Sequence, residues 1–141
     1  MRILAVDHGQ KQIGLALSDE TGMLARPLSI IPHTSKLVDA AQIAGIAAQW
    51  NTGLIIVGVS YDEAGDPNKA GRQAINFANE LTLQTPIPIQ FWDESLTTQD
   101  ARAVRLASGA SRKNRAGHLD DVAAAVLLQN YLDTKIENTN E

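Results

Sequence analysis

A run of apolar residues that stops at a carboxylate is the feature that most constrains this chain. Residues 3–6 read Ile-Leu-Ala-Val, the pattern of a buried strand, and Asp7 follows at once. Over 13–17 larger apolar residues alternate with small ones, so the two runs predict a hairpin with strands at 2–8 and 11–18. A carboxylate at the end of a buried strand is costly unless something pairs with it. Asp7 is therefore a candidate functional residue.

The rest of the chain alternates strand and helix patterns. The stretch Leu-Ile-Ile-Val-Gly-Val at 54–59 is typical of a strand buried on both faces of a parallel sheet, which predicts a central strand. Ser35 stands where it can cap a helix. Apolar residues recur there at helical spacing: Leu37, Ala41, Ala44 and Ala48. The predicted elements after the hairpin are strands at 25–31, 54–59 and 89–92 and helices at 35–50, 70–81, 97–108 and 118–134. This order predicts an α/β fold with helices on both faces of the sheet.

Length and composition set the class of protein. The chain has 141 residues, the usual size of one domain, and we expect a single domain over 1–134 with a polar, frayed tail at 135–141. It has no cysteine, which excludes disulfides and thiolate metal sites. No run of about 18 apolar residues is present, and the first apolar run is too short for a signal peptide. We therefore expect a cytoplasmic protein that does not bind membranes.

The charge of the chain is unevenly distributed. A net charge of -4 argues against a protein that coats nucleic acid through bulk positive charge. Five of the twelve Lys and Arg residues nonetheless fall between Asp100 and Asp120, a stretch without acidic residues. They are Arg102, Arg105, Arg112, Lys113 and Arg115. This basic segment is either a contact for the phosphate backbone of nucleic acid or a solvated surface, and the sequence alone leaves both interpretations open.

Two further carboxylate pairs stand where a sheet could bring them near Asp7. Asp93 and Glu94 follow the last predicted strand, and ligands bind at strand ends in open α/β sheets. Asp120 and Asp121 stand at the start of the last helix, where the helix dipole alone could favour one of them. Hard divalent cations take oxygen ligands, so a cluster of these carboxylates indicates a site for Mg²⁺ or Mn²⁺. The alternative is a set of structural carboxylates at the ends of helices and strands.

Four sequence blocks, in this order and spacing, carry a family resemblance. They are LAVDHGQKQIGLALSD, LIIVGVS, WDESLTTQDA and LDDVAAAVLLQNYL. With them the chain resembles, over nearly its whole length, the YqgF family of RNase H-like proteins, described as pre-16S rRNA nucleases and Holliday junction resolvase homologues. The resemblance implies an RNase H-like fold with a central mixed five-stranded sheet. It also implies a divalent-metal nuclease site built from Asp7, Glu94 and Asp120.

The same resemblance implies a reaction and its partners. Two cations, Mg²⁺ or Mn²⁺, held by the three carboxylates would assist hydrolysis of phosphodiester bonds in structured nucleic acid. The first interpretation is processing of the pre-16S rRNA 5′ end in ribosome biogenesis, with a ribosome precursor as partner. The alternatives are a Holliday junction resolvase-like endonuclease acting on branched DNA and a nucleic-acid-binding module with weakened catalysis. A junction resolvase would need a homodimer, whereas rRNA trimming would not. Thr97 and Thr98 join the basic segment as candidate backbone contacts.

The chain departs from the family pattern at positions that bear on phosphate binding. The family has arginine where Gln12 and Ser95 stand, and arginine makes bidentate phosphate contacts that these residues cannot replace. This difference favours the binding-module alternative. The other departures are His8, Gln10 and Ser60.

The hairpin block also looks like the phosphate-binding hairpin of the actin-like ATPases. Those proteins enclose ATP between two such domains, however, and 141 residues supply one. At the last helix, apolar rows follow both Asp120 and Asp121, so periodicity leaves them tied and the family pattern favours Asp120. His118 is close to Asp120 and is either a proton-transfer group or a capping residue.

Overall fold

The computed structural model describes residues 1–97 and 119–139. Its strands are β1 (Arg2–His8), β2 (Gln12–Ser18), β3 (Ala25–Pro32), β4 (Thr52–Val59) and β5 (Ile89–Asp93). They form one mixed five-stranded sheet in the order β3-β2-β1-β4-β5. The middle strand, β1, is antiparallel to β2 and parallel to β4, and β4 is parallel to β5. The C-terminal ends of β1, β4 and β5 therefore meet at one end of the sheet.

The turn between β1 and β2 depends on Gly9. The Gly9 N–H donates to the Gln12 carbonyl at 2.9 Å, and a Cβ at Gly9 would lie 2.5 Å from that oxygen. Real Cβ atoms do not approach an oxygen so closely, so only glycine fits here. The predicted hairpin is confirmed, and its second strand begins one residue later than expected.

Helices cover both faces of the sheet, as the sequence predicts. On one face lie α1 (Lys36–Gln49) and α2 (Lys69–Gln84), and on the other lies α3 (Leu119–Thr139). Ser35 caps α1 as expected, because its Oγ accepts a hydrogen bond from the Val38 N–H at 3.2 Å. Asn68 caps α2 in the same way, accepting from the Gly71 N–H at 2.9 Å. None of the described helices is long and apolar enough to span a membrane.

Each face of the sheet has its own apolar core. The core under α1 and α2 contains large side chains such as Val6, Ile43 and Phe77. The core under α3 includes a set of four completely buried alanines: Ala5 and Ala16 from the sheet, and Ala124 and Ala125 from the helix. We call this set the alanine layer. Because interiors are closely packed, these short side chains let α3 approach the sheet closely.

The buried face of α1 is not the one indicated by the row of Leu37, Ala41, Ala44 and Ala48. Leu37 is 62% exposed, and the buried row runs instead through Ala40, Ile43 and Ala47. Asp39 is also completely buried, near the start of the helix. Its hydrogen bonds, described below, hold this acidic position inward, which apolar periodicity does not predict.

The last helix runs to Thr139, five residues beyond the predicted end at 134. Its extra turn is accompanied by contacts between residues four apart. The Thr134 hydroxyl donates to the Asn130 carbonyl at 2.9 Å, and Lys135 Nζ lies 5.6 Å from the centre of the Tyr131 ring. Residues 135–139 of the predicted tail are therefore helical. After β5 a 3₁₀ helix spans Glu94–Thr97, and the predicted helix at 97–108 otherwise lies outside the described residues.

Candidate active site

Asp7 lies at the C-terminal end of the middle strand, on the face covered by α3. Side chains alternate along a strand, and Ala5, two residues earlier, belongs to the core under α3. In the sheet, Asp7 pairs with Gly14 of β2. On its other side, β4 pairs with β1 as far as Val57, so Gly58 is the next neighbour. Side chains from the adjoining strands therefore do not crowd the half-buried Asp7 carboxylate.

The Glu94 carboxylate lies over Gly58. A Cβ added at Gly58 would be 2.7 Å from Glu94 Oε1 and 2.9 Å from Leu127 Cδ2. Glu94 therefore occupies the space that a side chain at position 58 would take. Because Gly58 adjoins Asp7 in the sheet, two carboxylates reach the same end of the sheet, one from β1 and one from the 3₁₀ helix after β5.

The neighbouring acidic residue, Asp93, has a structural role. Its Oδ1 accepts a hydrogen bond from the Ser95 N–H at 2.9 Å, which fixes the chain where β5 turns into the 3₁₀ helix. The two adjacent carboxylates thus differ in function. Asp93 stabilises the backbone, and Glu94 extends over β4 beside Asp7.

Helical position 120 lies on the side of α3 that faces β4 and β5. Seven residues make about two turns of an α-helix, so position 120 shares a row with Leu127. Leu127 lies against Gly58 of β4, and Tyr131 follows in the same row. The Tyr131 ring packs on Trp92 of β5 with centroids 5.1 Å apart. The row that contains position 120 is therefore the row next to Glu94 and the end of β4.

Position 121 is rotated by about 100° from position 120 around the helix axis. This rotation turns it toward the side of α3 where Gln129 accepts a hydrogen bond from the Ala25 N–H of β3 at 2.9 Å. Helix packing thus favours position 120 over position 121 as the one beside Glu94, a choice that apolar periodicity left tied. The side chains at both positions lie outside what the structure describes.

The donor set at this end of the sheet suits a hard divalent cation. Asp7 and Glu94 offer carboxylate oxygens, the ligands that Mg²⁺ and Mn²⁺ prefer. Glycine at position 58 leaves room for the Glu94 carboxylate, and a side chain there would displace it. Among the side chains that the structure describes, no group of three or more His, Asp or Glu residues forms a metal site. The third proposed ligand, Asp120, lies outside that set.

One of the predicted nucleic-acid contacts, Thr97, falls within the described residues. Thr97 ends the 3₁₀ helix that begins at Glu94. The others lie outside the described residues: Thr98, Arg102, Arg105, Arg112, Lys113, Arg115 and the candidate proton-transfer residue His118.

Gly14 and Gly58 are site positions that the sequence reasoning did not identify. The available signal was the glycine inside the apolar run at 54–59, because glycine within a strand often marks a close approach to the backbone. The identity of the approaching group, Glu94, depends on strand register and could not be read from that run.

We expect Gly58→Ala to reduce the nuclease activity implied by the family resemblance by about a hundredfold, because an error of about 1 Å in a catalytic group can cost that much. The new Cβ would displace the Glu94 carboxylate and press on Leu127. These contacts are with side chains and not with backbone, so the fold should remain, at a cost of about 1–3 kcal/mol. Steady-state cleavage and thermal unfolding of the variant test this prediction.

Gly45→Ala is the matched control. Gly45 lies in the exposed middle of α1, with nothing within 4 Å of an added Cβ. The change should keep full activity and raise stability by about 0.5–1 kcal/mol, because alanine favours helix over glycine. Full activity in Gly58→Ala would show that the position of Glu94 does not matter for cleavage.

The sequence matches the family model of RuvX, described as Holliday junction resolvase, over residues 1–134. Among its relatives, a protein of Anaeromyxobacter sp. is 38% identical over 94% of this chain and 97% of its own length. Another, from Thermoanaerobacter pseudethanolicus, is 38% identical over 96% of this chain and 98% of its own length. Both are named “Putative pre-16S rRNA nuclease”.

Solved structures show the same fold at low sequence identity. Thermus thermophilus RuvC in complex with a Holliday junction substrate matches with a TM-score of 0.63 at 15% identity, covering 96% of both chains. Fowlpox virus resolvase with Holliday junction DNA matches with a TM-score of 0.60 at 16% identity, covering 96% of this chain and 99% of that one. These likenesses confirm the RNase H-like architecture. The family match over residues 1–134 and the two relatives at 38% identity confirm the YqgF resemblance, and the chain belongs to the RuvX (YqgF) family.

Proposed function

We propose that this protein is a divalent-metal-dependent nuclease that hydrolyses phosphodiester bonds of structured nucleic acid. The observation that carries the proposal is the meeting of Asp7 and Glu94 at one end of the sheet, with glycine on both sides of Asp7. The relatives named as pre-16S rRNA nucleases support the 5′ end of pre-16S rRNA as the substrate, and with it a cytoplasmic role in ribosome biogenesis. We assign this activity to a single nuclease domain over residues 1–134.

Asp7, Glu94 and Asp120 are the proposed ligands of Mg²⁺ or Mn²⁺. Such ions, when bound, supply an activated water and neutralise the charge that develops on the phosphate. The protein's own contribution is positional. The paired strands fix Asp7, the capped turn at Asp93 fixes the start of the 3₁₀ helix that carries Glu94, and helix packing fixes position 120. A rigid sheet end of this kind holds ligands more accurately than a free loop.

A second candidate function is cleavage of branched DNA. It is favoured by the description of the RuvX family and by the fold shared with two resolvases solved with Holliday junctions. The proposed ligands act on phosphate and carry no base information, so both substrates suit the same site. Resolution of a junction at two symmetric strands would require a homodimer, whereas trimming of one RNA end would not.

Side-by-side cleavage assays separate these functions. Purified protein would be given a precursor rRNA fragment and a four-way DNA junction, each with Mg²⁺, Mn²⁺ or EDTA, with molar mass measured by light scattering. We expect metal-dependent cleavage of the RNA at its 5′ side by a monomer. Paired cuts in the junction by a dimer would support the resolvase function instead. Binding of both substrates without cleavage in either metal would contradict a nuclease.

We expect the combined change of Arg112, Lys113 and Arg115 to alanine to weaken nucleic-acid binding and to flatten its salt dependence. Each lost phosphate contact should lower the slope of log K against log salt by about 0.7 to 0.9. Fluorescence anisotropy over a range of salt concentrations measures this slope. An unchanged slope would show that the basic segment is a solvated surface and not a contact for phosphate.

A further inference from the structure

A cleft lined mostly by polar residues lies on the sheet face opposite Asp7. Its volume is ≈ 330 Å³, and its lining includes His8 from the end of β1, His33 from the segment between β3 and α1, Lys36 from the start of α1, and Asn76 from α2. His8 follows Asp7 in the strand, so the two side chains leave the same strand end on opposite faces. The cleft and the candidate active site are therefore separated by one layer of sheet.

A buried carboxylate orients His33 in this cleft. Asp39 is completely buried, and its Oδ2 lies 2.6 Å from His33 Nδ1. The Thr34 hydroxyl and N–H also donate to Asp39, at 2.9 and 3.2 Å. Burial alone would raise the pKa of Asp39, but the bonds from Thr34 and His33 outweigh it and lower the pKa. Ionised Asp39 accepts the Nδ1–H of His33, which leaves Nε2 as the other polar atom of that ring.

His8 is held between two rings. Its centroid lies 5.1 Å from that of His33, in an edge-to-face arrangement, and 5.0 Å from that of Phe77 in α2. Phe77 is only 1% exposed, so it supports His8 from the core. Two imidazoles are thus fixed side by side on one wall of the cleft, which reduces the entropy that they lose on binding a ligand.

The other groups that line the cleft suit an anion. Lys36 supplies a positive charge, and the side-chain amides of Gln10, Gln73 and Asn76 supply N–H donors. Among the described residues that line the cleft there is no carboxylate, and Asp39 behind His33 has both oxygens engaged by Thr34 and His33. Phosphate oxygens take hydrogen bonds from such donors, most strongly from charged ones.

We propose that this cleft binds a backbone phosphate of the nucleic-acid substrate, one that is not cleaved, and so holds the strand around the end of β1. The proposal rests on the proposed nuclease function, and it adds a contact on the face of the sheet that does not carry Asp7. Lys36 and the two imidazoles are the binding groups, and Asp39 is a positioning residue that acts through His33.

Lys36→Ala, with Lys69→Ala as control, tests the proposal. Both lysines are exposed first residues of helices, α1 and α2, but only Lys36 lines the cleft. Binding of the labelled substrate in EDTA would be measured by anisotropy over a range of salt concentrations. We expect the slope to fall by about 0.7 to 0.9 for Lys36→Ala and to stay unchanged for Lys69→Ala. Equal slopes in the two variants would overturn the proposal.

A second arm uses inorganic phosphate alone and follows the ring C–H signals of His8 and His33 by NMR. We expect phosphate to shift both signals in the wild type and less in Lys36→Ala. A shift with phosphate but no change in the nucleic-acid slope would show a cleft for free phosphate only, and would overturn the strand contact. If substrate binding depends on Lys36 but no metal-dependent cleavage occurs, the proposed nuclease function is refuted and the cleft proposal still holds. Metal-dependent cleavage with no effect of Lys36→Ala on substrate binding would support the nuclease and overturn the cleft proposal.

Discussion

Replacing Asp7 by asparagine is expected to slow metal-dependent cleavage by about a thousandfold or more while the protein stays folded. Asparagine keeps the size of the side chain but loses the negative charge and one of the two carboxylate oxygens, so it is a poor ligand for Mg²⁺ or Mn²⁺. A bound metal supplies several kcal/mol of transition-state stabilisation, and about 4 kcal/mol corresponds to a factor of about a thousand. Single-turnover cleavage with saturating Mg²⁺ measures the effect.

Asp93→Asn is the control for this change. Asp93 also ends a strand at the same end of the sheet, and its Oδ1 is the acceptor for the Ser95 N–H. Asparagine keeps an oxygen at that position, so activity should stay within a few fold of the wild type. Circular dichroism and thermal unfolding should be close to wild type for both variants. If Asp7→Asn cleaves within tenfold of the wild-type rate, Asp7 is not a metal ligand that cleavage requires.

The second large effect is expected at the start of α3, where Asp120→Asn should abolish cleavage and Asp121→Asn should cost at most a few fold. The row of position 120 continues through Leu127, which lies against Gly58, to Tyr131, which lies against β5. Position 121 is rotated away from that row by about 100°. A negative charge at 121 still favours the N-terminal end of the helix, by about 0.3–1 kcal/mol.

Comparison of the two variants needs a binding measurement as well as a rate. Asp120→Asn should still bind substrate in EDTA, since the change removes a metal ligand and no phosphate contact. Asp121→Asn should show a slightly lower unfolding temperature and nearly normal cleavage. The reverse order of single-turnover rates would exchange the roles of the two residues.

Local sequence pattern was enough to predict the five strands and the three α-helices that the structure describes, but not every contact between them. The runs at 3–6 and 54–59 are buried on both faces of a sheet, so their apolar character predicts strands without any knowledge of their neighbours. The orientation of α1 was not predictable in this way, because Asp39 faces inward for hydrogen bonds with His33 and Thr34. Apolar periodicity does not predict that a carboxylate will be buried.

The candidate site was likewise only partly predictable from the sequence. Asp7 was evident from the sequence because a carboxylate interrupts an apolar strand, and Glu94 and Asp120 were assigned from the family resemblance. The contact of Glu94 with Gly58 joins residues 36 positions apart and depends on the register of β1, β4 and β5. Pairing across a sheet is a long-range property, so a single sequence without its relatives does not specify it.

The alanine layer under α3 bears on which divalent ion the proposed site would select. Ala5 and Ala16 on the sheet face Ala124 and Ala125 on the helix, and together they set the height of α3 above the strands. Asp7 belongs to the sheet and position 120 to the helix, so the same height sets how far apart their backbones are. Mg²⁺ demands oxygen ligands at about 2.0–2.1 Å, whereas Ca²⁺ accepts 2.3–2.6 Å. Discrimination between these ions would then depend on alanine methyl groups in the core, which are not themselves among the proposed ligands.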